Sequence, residues 1–289
     1  MVTKGEGMMA ADGVSSDVDQ NQIDEANSAF WNELCGTQLA QSLGITDDSM
    51  ESLRRFDAWY MDFYPYLETH IPFQSFSGQK VLEVGLGYGT VAQRIADSGA
   101  IYSGLDIAAG PVDMANRRLA TTNAEGAAVC GSILDAPFPD AEFDYVVAIG
   151  SLHHTGALDR ALCEVHRLLK PGGGATVMVY NAASYRQWAL SPLKTLRRRW
   201  SDPARYVSHN EADERMRGAY DVNAAGAGAP QTEFVTRSEL TYLTRDFASC
   251  DIVAENIGSE SVLRFLPRPI ACRLLGPYIG LDLYCRLVK

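Results

Sequence analysis

The chain has 289 residues, 46% of them hydrophobic, which is enough to bury one sizeable core with further elements around it. Its formal charge of −11 at pH 7 disfavours nucleic acids and anionic membranes as partners. The six cysteines lack metal-ligand spacing, so we expect no metal site and reduced thiols in a cytoplasmic protein. The sequence shows neither a membrane-spanning apolar run nor the pattern of a signal peptide.

The N-terminal part of the chain divides into two regions of different composition. Residues 1–26 are polar and acidic, which predicts a disordered tail. Residues 27–77 have helical periodicity and are rich in aromatic side chains. Because this second region precedes the first core strand, it predicts a helical cap over the core.

Residues 80–106 contain a short apolar strand, a glycine turn, a helix and a second strand. Gly85, Gly87 and Gly89 allow the backbone to turn sharply and to approach a ligand closely. The second strand ends at Asp106, where a ribose would lie in such a half-site. The order of these elements predicts a nucleotide-binding site.

Strands and helices alternate through residue 181, which predicts a mostly parallel α/β sheet with helices on both faces. Residues 78–181 are therefore the expected cofactor-binding core. Residues 182–232 break the alternation with a basic run, LKTLRRRW, and a Gly/Ala-rich loop, and we interpret them as an insertion that covers the ligand site. The basic run would either bind an anionic substrate group or form a solvated helix face. Residues 233–289 predict a helix and a closing strand pair.

With the glycine turn, Asp106, and the stretches APFPDAEFDYVVAIGSLHHT and LLKPGGGATVMVYN in this order, the sequence resembles the class I, Rossmann-like S-adenosylmethionine-dependent methyltransferases. The resemblance is full over residues 78–181 and looser to the end. It implies a seven-stranded, mostly parallel sheet with an antiparallel last strand. It also implies an enzyme that uses S-adenosylmethionine to methylate a small molecule, such as a specialised metabolite or a sugar-type compound.

The resemblance assigns a set of residues to the cofactor. Glu83 and the glycines would surround its methionine part, and Asp106 would accept hydrogen bonds from both ribose hydroxyls. Ile107 would pack on the adenine face. The implied cofactor-binding residues are Glu83, Gly85, Gly87, Gly89, Asp106, Ile107, Ser132, Ile133 and Gly150.

The end of the third strand departs from the family pattern. Many relatives have an aspartate directly after the glycine at this point, whereas this chain has Ser132. Either Ser132 with the backbone of Ile133, or Asp135, would meet the adenine amino group. We favour Ser132.

The acceptor side is less constrained by the sequence. A general base is needed only if the acceptor must lose a proton, and the candidate catalytic residues are His153, His154 and Tyr180. Packing is the alternative role for each. The candidate substrate-binding residues are Trp31, Tyr60, Tyr64 and Arg186. The cap aromatics would either form core or line the acceptor site, since aromatic faces favour a sulfonium.

Two other functions fit parts of the sequence. An NAD-dependent oxidoreductase uses a related half-fold, but the turn here lacks a glycine three residues after Gly87. An S-adenosylmethionine-binding partner protein without catalysis would keep the same glycines and Asp106. We expect a small-molecule substrate rather than nucleic acid or a membrane, and a monomer or a homodimer.

Overall fold

The computed structural model describes residues 15–33, 40, 42–45, 47, 49–122, 124–208, 214–223, 225–258 and 266–289. The α-helices are α1 (Ser15–Trp31), α2 (Met50–Phe63), α3 (Leu67–His70), α4 (Thr90–Asp97), α5 (Ala109–Leu119), α6 (Leu158–Leu168), α7 (Tyr185–Leu190), α8 (Pro192–Arg199), α9 (Glu214–Gly218), α10 (Arg237–Leu243) and α11 (Arg268–Ile279). The strands are β1 (Lys80–Val84), β2 (Ile101–Asp106), β3 (Gly126–Cys130), β4 (Phe143–Ile149), β5 (Leu169–Asn181), β6 (Phe234–Val235), β7 (Ser249–Glu255) and β8 (Asp282–Val288).

The strands form one sheet in the order β3-β2-β1-β4-β5-β8-β7, with β6 paired to β5. Strands β1 to β5 run parallel, whereas β8 is antiparallel to both β5 and β7. This confirms the predicted Rossmann-like α/β fold with an antiparallel last strand. The sheet has eight strands rather than the predicted seven, because the two residues of β6 pair with the end of β5.

Alternate residues of the central strands face the two sides of the sheet. In β1, Leu82 and Val84 pack into the cluster that contains α6, and Val81 packs into the cluster that contains α4 and α5. All three side chains are buried. The strand is therefore buried on both faces, as expected for a strand inside a parallel sheet.

The strand order creates a crevice at one edge of the sheet. The chain moves from β1 outward to β2 and β3, and then returns to β4 on the other side of β1. Ligands of open α/β sheets bind outside the carboxyl ends of the strands at such a reversal. The ends of β1, β2 and β4 therefore define the place of the site.

Helix α1 corrects the prediction for residues 1–26. Residues 15–26 lie in this helix, and residues 1–14 are outside the described part of the chain. The Gln20 side-chain amide donates to the carbonyl of Thr155 over 2.9 Å, and the Asn27 amide donates to the carbonyl of His154 over 2.7 Å. The helix is held by contacts with residues far along the chain, and these contacts cannot be predicted from the composition of residues 1–26.

None of the helices in the described residues is both long enough and apolar enough to cross a membrane.

A buried ion pair fastens the helical cap to the core. Both guanidinium NH₂ groups of Arg118, on α5, donate to the carboxylate of Asp57, on α2, over 2.8 and 2.9 Å. The hydroxyl of Thr90, at the start of α4, donates to the same carboxylate over 2.6 Å. Arg118 is only 1% exposed. The pair thus joins three helices around one buried charge.

Asp57→Ala should destabilise the protein strongly, because it leaves the Arg118 guanidinium buried without its counter-charge. We expect a loss of about 3 kcal/mol in the free energy of unfolding, measured by urea denaturation. The control Asp62→Ala, at an exposed position of the same helix, should change it by less than about 0.5 kcal/mol. Equal effects of the two variants would contradict this role of the pair.

Candidate active site

A cavity of about 280 Å³ lies at the carboxyl edge of β1, β2 and β4. It brings together most of the residues selected from the sequence. Those that line it are Trp31, Tyr60, Glu83, Gly85, Gly87, Asp106, Ile107, Ser132, Ile133, Gly150 and His154. Gly89, His153, Tyr180, Tyr64 and Arg186 lie outside the lining.

The glycine turn after β1 has left-handed backbone at three positions, with φ of +82° at Gly85, +48° at Gly87 and +72° at Gly89. A Cβ added at Gly85 would lie 2.4 Å from the Cβ of Ser151, so the two loops can approach only with glycine there. A Cβ at Gly87 would meet no atom within 4 Å, which leaves room for a ligand beside the turn.

Gly89 serves the packing of the helices rather than the cavity. A Cβ at this position would lie 2.8 Å from the Cδ of Arg118. The glycine therefore lets the buried arginine pass beside the start of α4 on its way to Asp57. This corrects the expectation that Gly89 contacts the cofactor directly.

Asp106 stands at the end of β2 and joins two backbone segments. One carboxylate oxygen accepts the N–H of Leu86 over 2.7 Å, and the other accepts the N–H of Ala108 over 2.9 Å. Burial raises the pKa of Asp106, and the backbone hydrogen bonds oppose this rise. Each oxygen can accept a further hydrogen bond, so the carboxylate can still receive a pair of hydroxyls from the cavity.

Glu83 lies in β1 and is only 3% exposed. The Tyr102 hydroxyl is 2.7 Å from its Oε2. Burial raises the pKa of Glu83 to about 8, since the carboxylate has little water around it. The residue thus lines the cavity as a carboxyl group whose charge depends on what binds beside it.

The wall after β3 distinguishes between the two adenine partners considered from the sequence. Ser132 and Ile133 line the cavity, and the Ser132 hydroxyl caps the short 3₁₀ turn by accepting the N–H of Leu134 over 3.3 Å. Asp135 is exposed and is not part of the lining. The geometry is therefore consistent with Ser132 and not with Asp135. Ile107 contributes an apolar side chain from the end of β2.

Helix α1 forms a wall of the cavity, of which the sequence predicted only Trp31. Asp24, Asn27 and Trp31 all line it from this helix. Asn27 is held by its bond to the carbonyl of His154, while its Oδ1 is buried without a hydrogen-bond partner in the described structure. A buried acceptor beside a cavity needs a donor, and a ligand amine or hydroxyl would supply one.

The two adjacent histidines have different surroundings. His154 lines the cavity, with its ring centroid 4.8 Å from that of Trp31. Its Nδ1 lies 2.6 Å from the carbonyl oxygen of Gln231, which assigns the proton of the neutral ring to Nδ1 and a lone pair to Nε2. Burial lowers the pKa of His154, and the charge of Asp221 opposes this shift. His154 is therefore neutral near pH 7.

His153 packs behind this wall. It is fully buried, and its ring lies 4.2 Å from the ring of Tyr180. Burial lowers the pKa of His153 well below its usual range. The expected catalytic role does not fit this position, because the ring does not reach the cavity.

Tyr180 also lies outside the cavity, at the end of β5. Its hydroxyl donates to the Oδ2 of Asp221 over 2.9 Å, and burial raises its pKa well above the usual range. The phenol thus stays protonated and holds Asp221, with the same Oδ2 3.7 Å from the Nε2 of His154. Tyr180 positions a carboxylate instead of acting as a base.

Tyr64 and Arg186, both expected at the substrate, lie in the layer around the cavity. The Tyr64 ring packs against the Tyr60 ring at 4.9 Å, and only Tyr60 lines the cavity. The Arg186 guanidinium donates to the carbonyl of Ala219 over 2.5 Å and stacks on Tyr220 at 4.6 Å. Both residues support the insertion and the cap.

Two residues in or beside the cavity had no signal in the sequence, since Tyr88 is part of its lining and Asp221 lies behind it. Asp221 lies in a polar loop of the insertion, and Tyr88 lies inside the glycine turn, where its ring stacks on Phe56 at 4.0 Å. The only signal that could have indicated Tyr88 is its position within the glycine turn. In the described residues no group of three or more His, Cys, Asp or Glu side chains could hold a metal ion.

Comparison with known proteins bears on this arrangement. Residues 82–177 match the family model described as a methyltransferase domain. The chain is 32% identical over 146 residues to demethylmenaquinone methyltransferase of Tropheryma whipplei (strain Twist), covering 48% of this chain and 60% of the relative. It is 32% identical over 159 residues to 27-O-demethylrifamycin SV methyltransferase of Amycolatopsis mediterranei (strain S699), covering 53% of this chain and 56% of the relative. The match spans less than two thirds of either relative.

The solved structures show the same fold. A putative S-adenosylmethionine-dependent methyltransferase from Listeria monocytogenes superposes with a TM-score of 0.53 at 16% identity. The superposition covers 78% of this chain and 96% of that structure. The parallel core with its antiparallel last strand is thus shared beyond the matched segment.

The sheet order and the cavity at its reversal define an α/β fold with a ligand-sized cavity at the carboxyl ends of its strands. The match of residues 82–177 to a methyltransferase domain agrees with the family, enzyme class and cofactor that the sequence predicted.

Cofactor binding should release protons at pH 7 through Glu83. With a pKa of about 8 this residue is mostly protonated in the free protein, whereas a bound ammonium group favours its carboxylate. We expect release of up to about one proton, measured by calorimetry of S-adenosylmethionine binding in buffers of different ionisation enthalpy.

Glu83→Gln should abolish this release and weaken binding, while Asp135→Asn, at an exposed position outside the cavity, should leave both unchanged. Wild-type binding without any dependence on the buffer would mean that the ammonium group does not meet Glu83.

Proposed function

We propose that the chain transfers a methyl group from S-adenosylmethionine to a small-molecule acceptor. The observation that carries this proposal is the single cavity that contains Glu83, Asp106, Tyr60 and His154. Two carboxyl groups suited to the cofactor and an aromatic and basic wall suited to an acceptor share one space. The methyltransferase domain match supports the same reading.

The residues present fit S-adenosylmethionine. The open space at Gly87 leaves room for its methionine part, and Glu83 offers a carboxyl group to its ammonium. We assign Asp106 to the ribose, and Ile107 and Ser132 to the adenine, since all three line the cavity. When bound, this cofactor supplies a methyl group on a sulfonium for in-line displacement, and the protein contributes mainly by alignment.

His154 is the residue that we assign to proton removal from the acceptor. The carbonyl of Gln231 fixes the proton on Nδ1, so Nε2 keeps the lone pair that a base requires. Once Nε2 takes a proton, the carboxylate of Asp221, 3.7 Å away, stabilises the imidazolium. Tyr180 keeps that carboxylate in place.

The acceptor would be a largely apolar or aromatic small molecule. Trp31, from α1, and Phe56 and Tyr60, from α2, line the cavity and make its wall aromatic on this side. The two relatives act, by name, on demethylmenaquinone and 27-O-demethylrifamycin SV. These two compounds are the first acceptors to test.

The purified chain should bind S-adenosylmethionine in titration calorimetry and should transfer a labelled methyl group to a member of an acceptor panel that begins with these compounds. Failure to bind the cofactor would end the proposal. Enhanced NADH fluorescence on mixing would instead favour the oxidoreductase. Cofactor binding without transfer to any acceptor would favour a non-catalytic partner protein.

With an acceptor identified, His154→Asn should lower kcat by a factor of about 10² to 10⁴, the usual contribution of a general base. S-adenosylmethionine affinity should stay within about twofold, because the asparagine keeps a polar side chain at the wall and leaves Glu83 and Asp106 in place. Because the pKa of His154 lies below its usual value, the wild-type rate should rise with pH in the acid range and level off before neutrality. His166→Asn, on α6 away from the cavity, serves as the control, and equal losses in both variants would exclude a specific role for His154.

A further inference from the structure

Helix α8 in the insertion presents an apolar stripe to solvent. Leu193 is 81% exposed, Leu196 is 47% exposed and Trp200, directly after the helix, is 80% exposed. Their spacing of three and four residues places them on one face of the helix. Thr195, on the opposite face, is buried against the protein. The helix is therefore amphipathic with its apolar side outward, the reverse of an ordinary surface helix.

Basic side chains border the stripe. On a helical projection, Arg197 lies on one side of it and Arg199 on the other, and both are exposed. Lys194 follows beyond Arg197 and is also exposed. Arg198 differs, because it faces the protein and bonds to the carboxylate of Glu239 over 3.1 and 3.2 Å. The outward face thus combines large apolar groups with cations on both flanks.

We propose that this face, formed by Leu193, Lys194, Leu196, Arg197, Arg199 and Trp200, docks on an anionic lipid bilayer. Helices that lie in the membrane interface bury Trp and Leu side chains among the acyl chains and place Lys and Arg at the headgroups. A water-soluble protein partner would not require cations on both sides of the stripe. The charge pattern selects the anionic membrane surface.

A second cavity, of about 490 Å³, lies on the other side of α8, where Thr195 and Arg198 also line it. Lys194, Arg197 and Arg205 line it, as does Val207, which is 67% exposed. Of its two acidic residues, Glu239 is paired with Arg198, and Glu233 accepts a hydrogen bond from the Tyr206 hydroxyl. The cavity is positively charged on balance, and Arg197, which borders the stripe, is also part of its lining.

The net charge of −11 does not oppose this docking. Charges in physiological salt act over a Debye length of about 8 Å, so a membrane at α8 experiences the local cations more than the distant acidic residues. This inference departs from the expectation, drawn from the net charge alone, that no membrane is a partner.

The test is co-sedimentation of the full chain with vesicles of phosphatidylcholine alone and of phosphatidylcholine with phosphatidylglycerol, at low and high salt. We expect binding only to the vesicles with phosphatidylglycerol, weakened by salt. The double variant Arg197→Gln, Arg199→Gln should bind about 30-fold more weakly, at about fivefold for each charge removed. Trp200→Ala should also weaken binding several-fold.

Matched controls lie on other helices. Tyr278→Ala, on α11, removes an aromatic side chain that is 78% exposed, and Arg54→Gln, on α2, removes an exposed cation. Neither should alter vesicle binding. In the wild type, vesicles should shift tryptophan emission to shorter wavelength, and Trp200→Phe should lose most of this shift while still sedimenting.

Equal binding to both vesicle types, no binding at low salt, or equal losses in the control variants would each overturn the proposal. Light scattering that shows a dimer dissociated by Trp200→Ala, without vesicle binding, would make the face an interface between two copies and would also overturn it. Vesicle binding is measured without S-adenosylmethionine or acceptor, so its failure leaves the methyl-transfer proposal untouched.

Discussion

The carboxylate of Asp106 is the constraint on which the rest of the site depends. Its two oxygens accept the amides of Leu86 and Ala108, and thereby tie the glycine turn to the end of the neighbouring strand. The turn itself has three residues with left-handed backbone. Because Gly85 then packs directly on Ser151, the loop after β4 is placed as well. One buried acid therefore sets the relative positions of three strand ends.

The parts of the fold that could be predicted are those that local sequence specifies. The strand before the glycine turn is apolar except for Glu83 and its end residue Lys80, and the next strand ends at an acid, Asp106. Helix α1 could not be predicted, because its stability comes from hydrogen bonds to residues 154 and 155, more than 120 positions away. Composition of the segment alone indicates a tail.

The residues expected to bind the methyl acceptor were predicted less well, for a related reason. The sequence predicts that a side chain lies at a strand end, but it does not predict the direction in which the side chain points. This direction distinguishes His153 from His154. The first packs on Tyr180 and the second faces the cavity, although they are adjacent in the chain. Asp221 reaches Tyr180 from a loop whose sequence carries no motif. The residues expected at the methyl donor lie at the sheet edge, which local sequence predicts. The residues expected at the methyl acceptor come from segments that meet only in the folded chain.

The two-residue strand β6 closes the insertion at its base and so separates it from the rest of the sheet. The chain leaves the sheet after Asn181 and returns at Phe234, and Tyr180 pairs with Phe234 in register. The N–H of Ala182 donates to the carbonyl of Val235 over 2.8 Å, so the exit and the return are clasped side by side. The cost of closing such an excursion grows only slowly with its length. The insertion can therefore change in length while the sheet and the cavity at its edge stay constant.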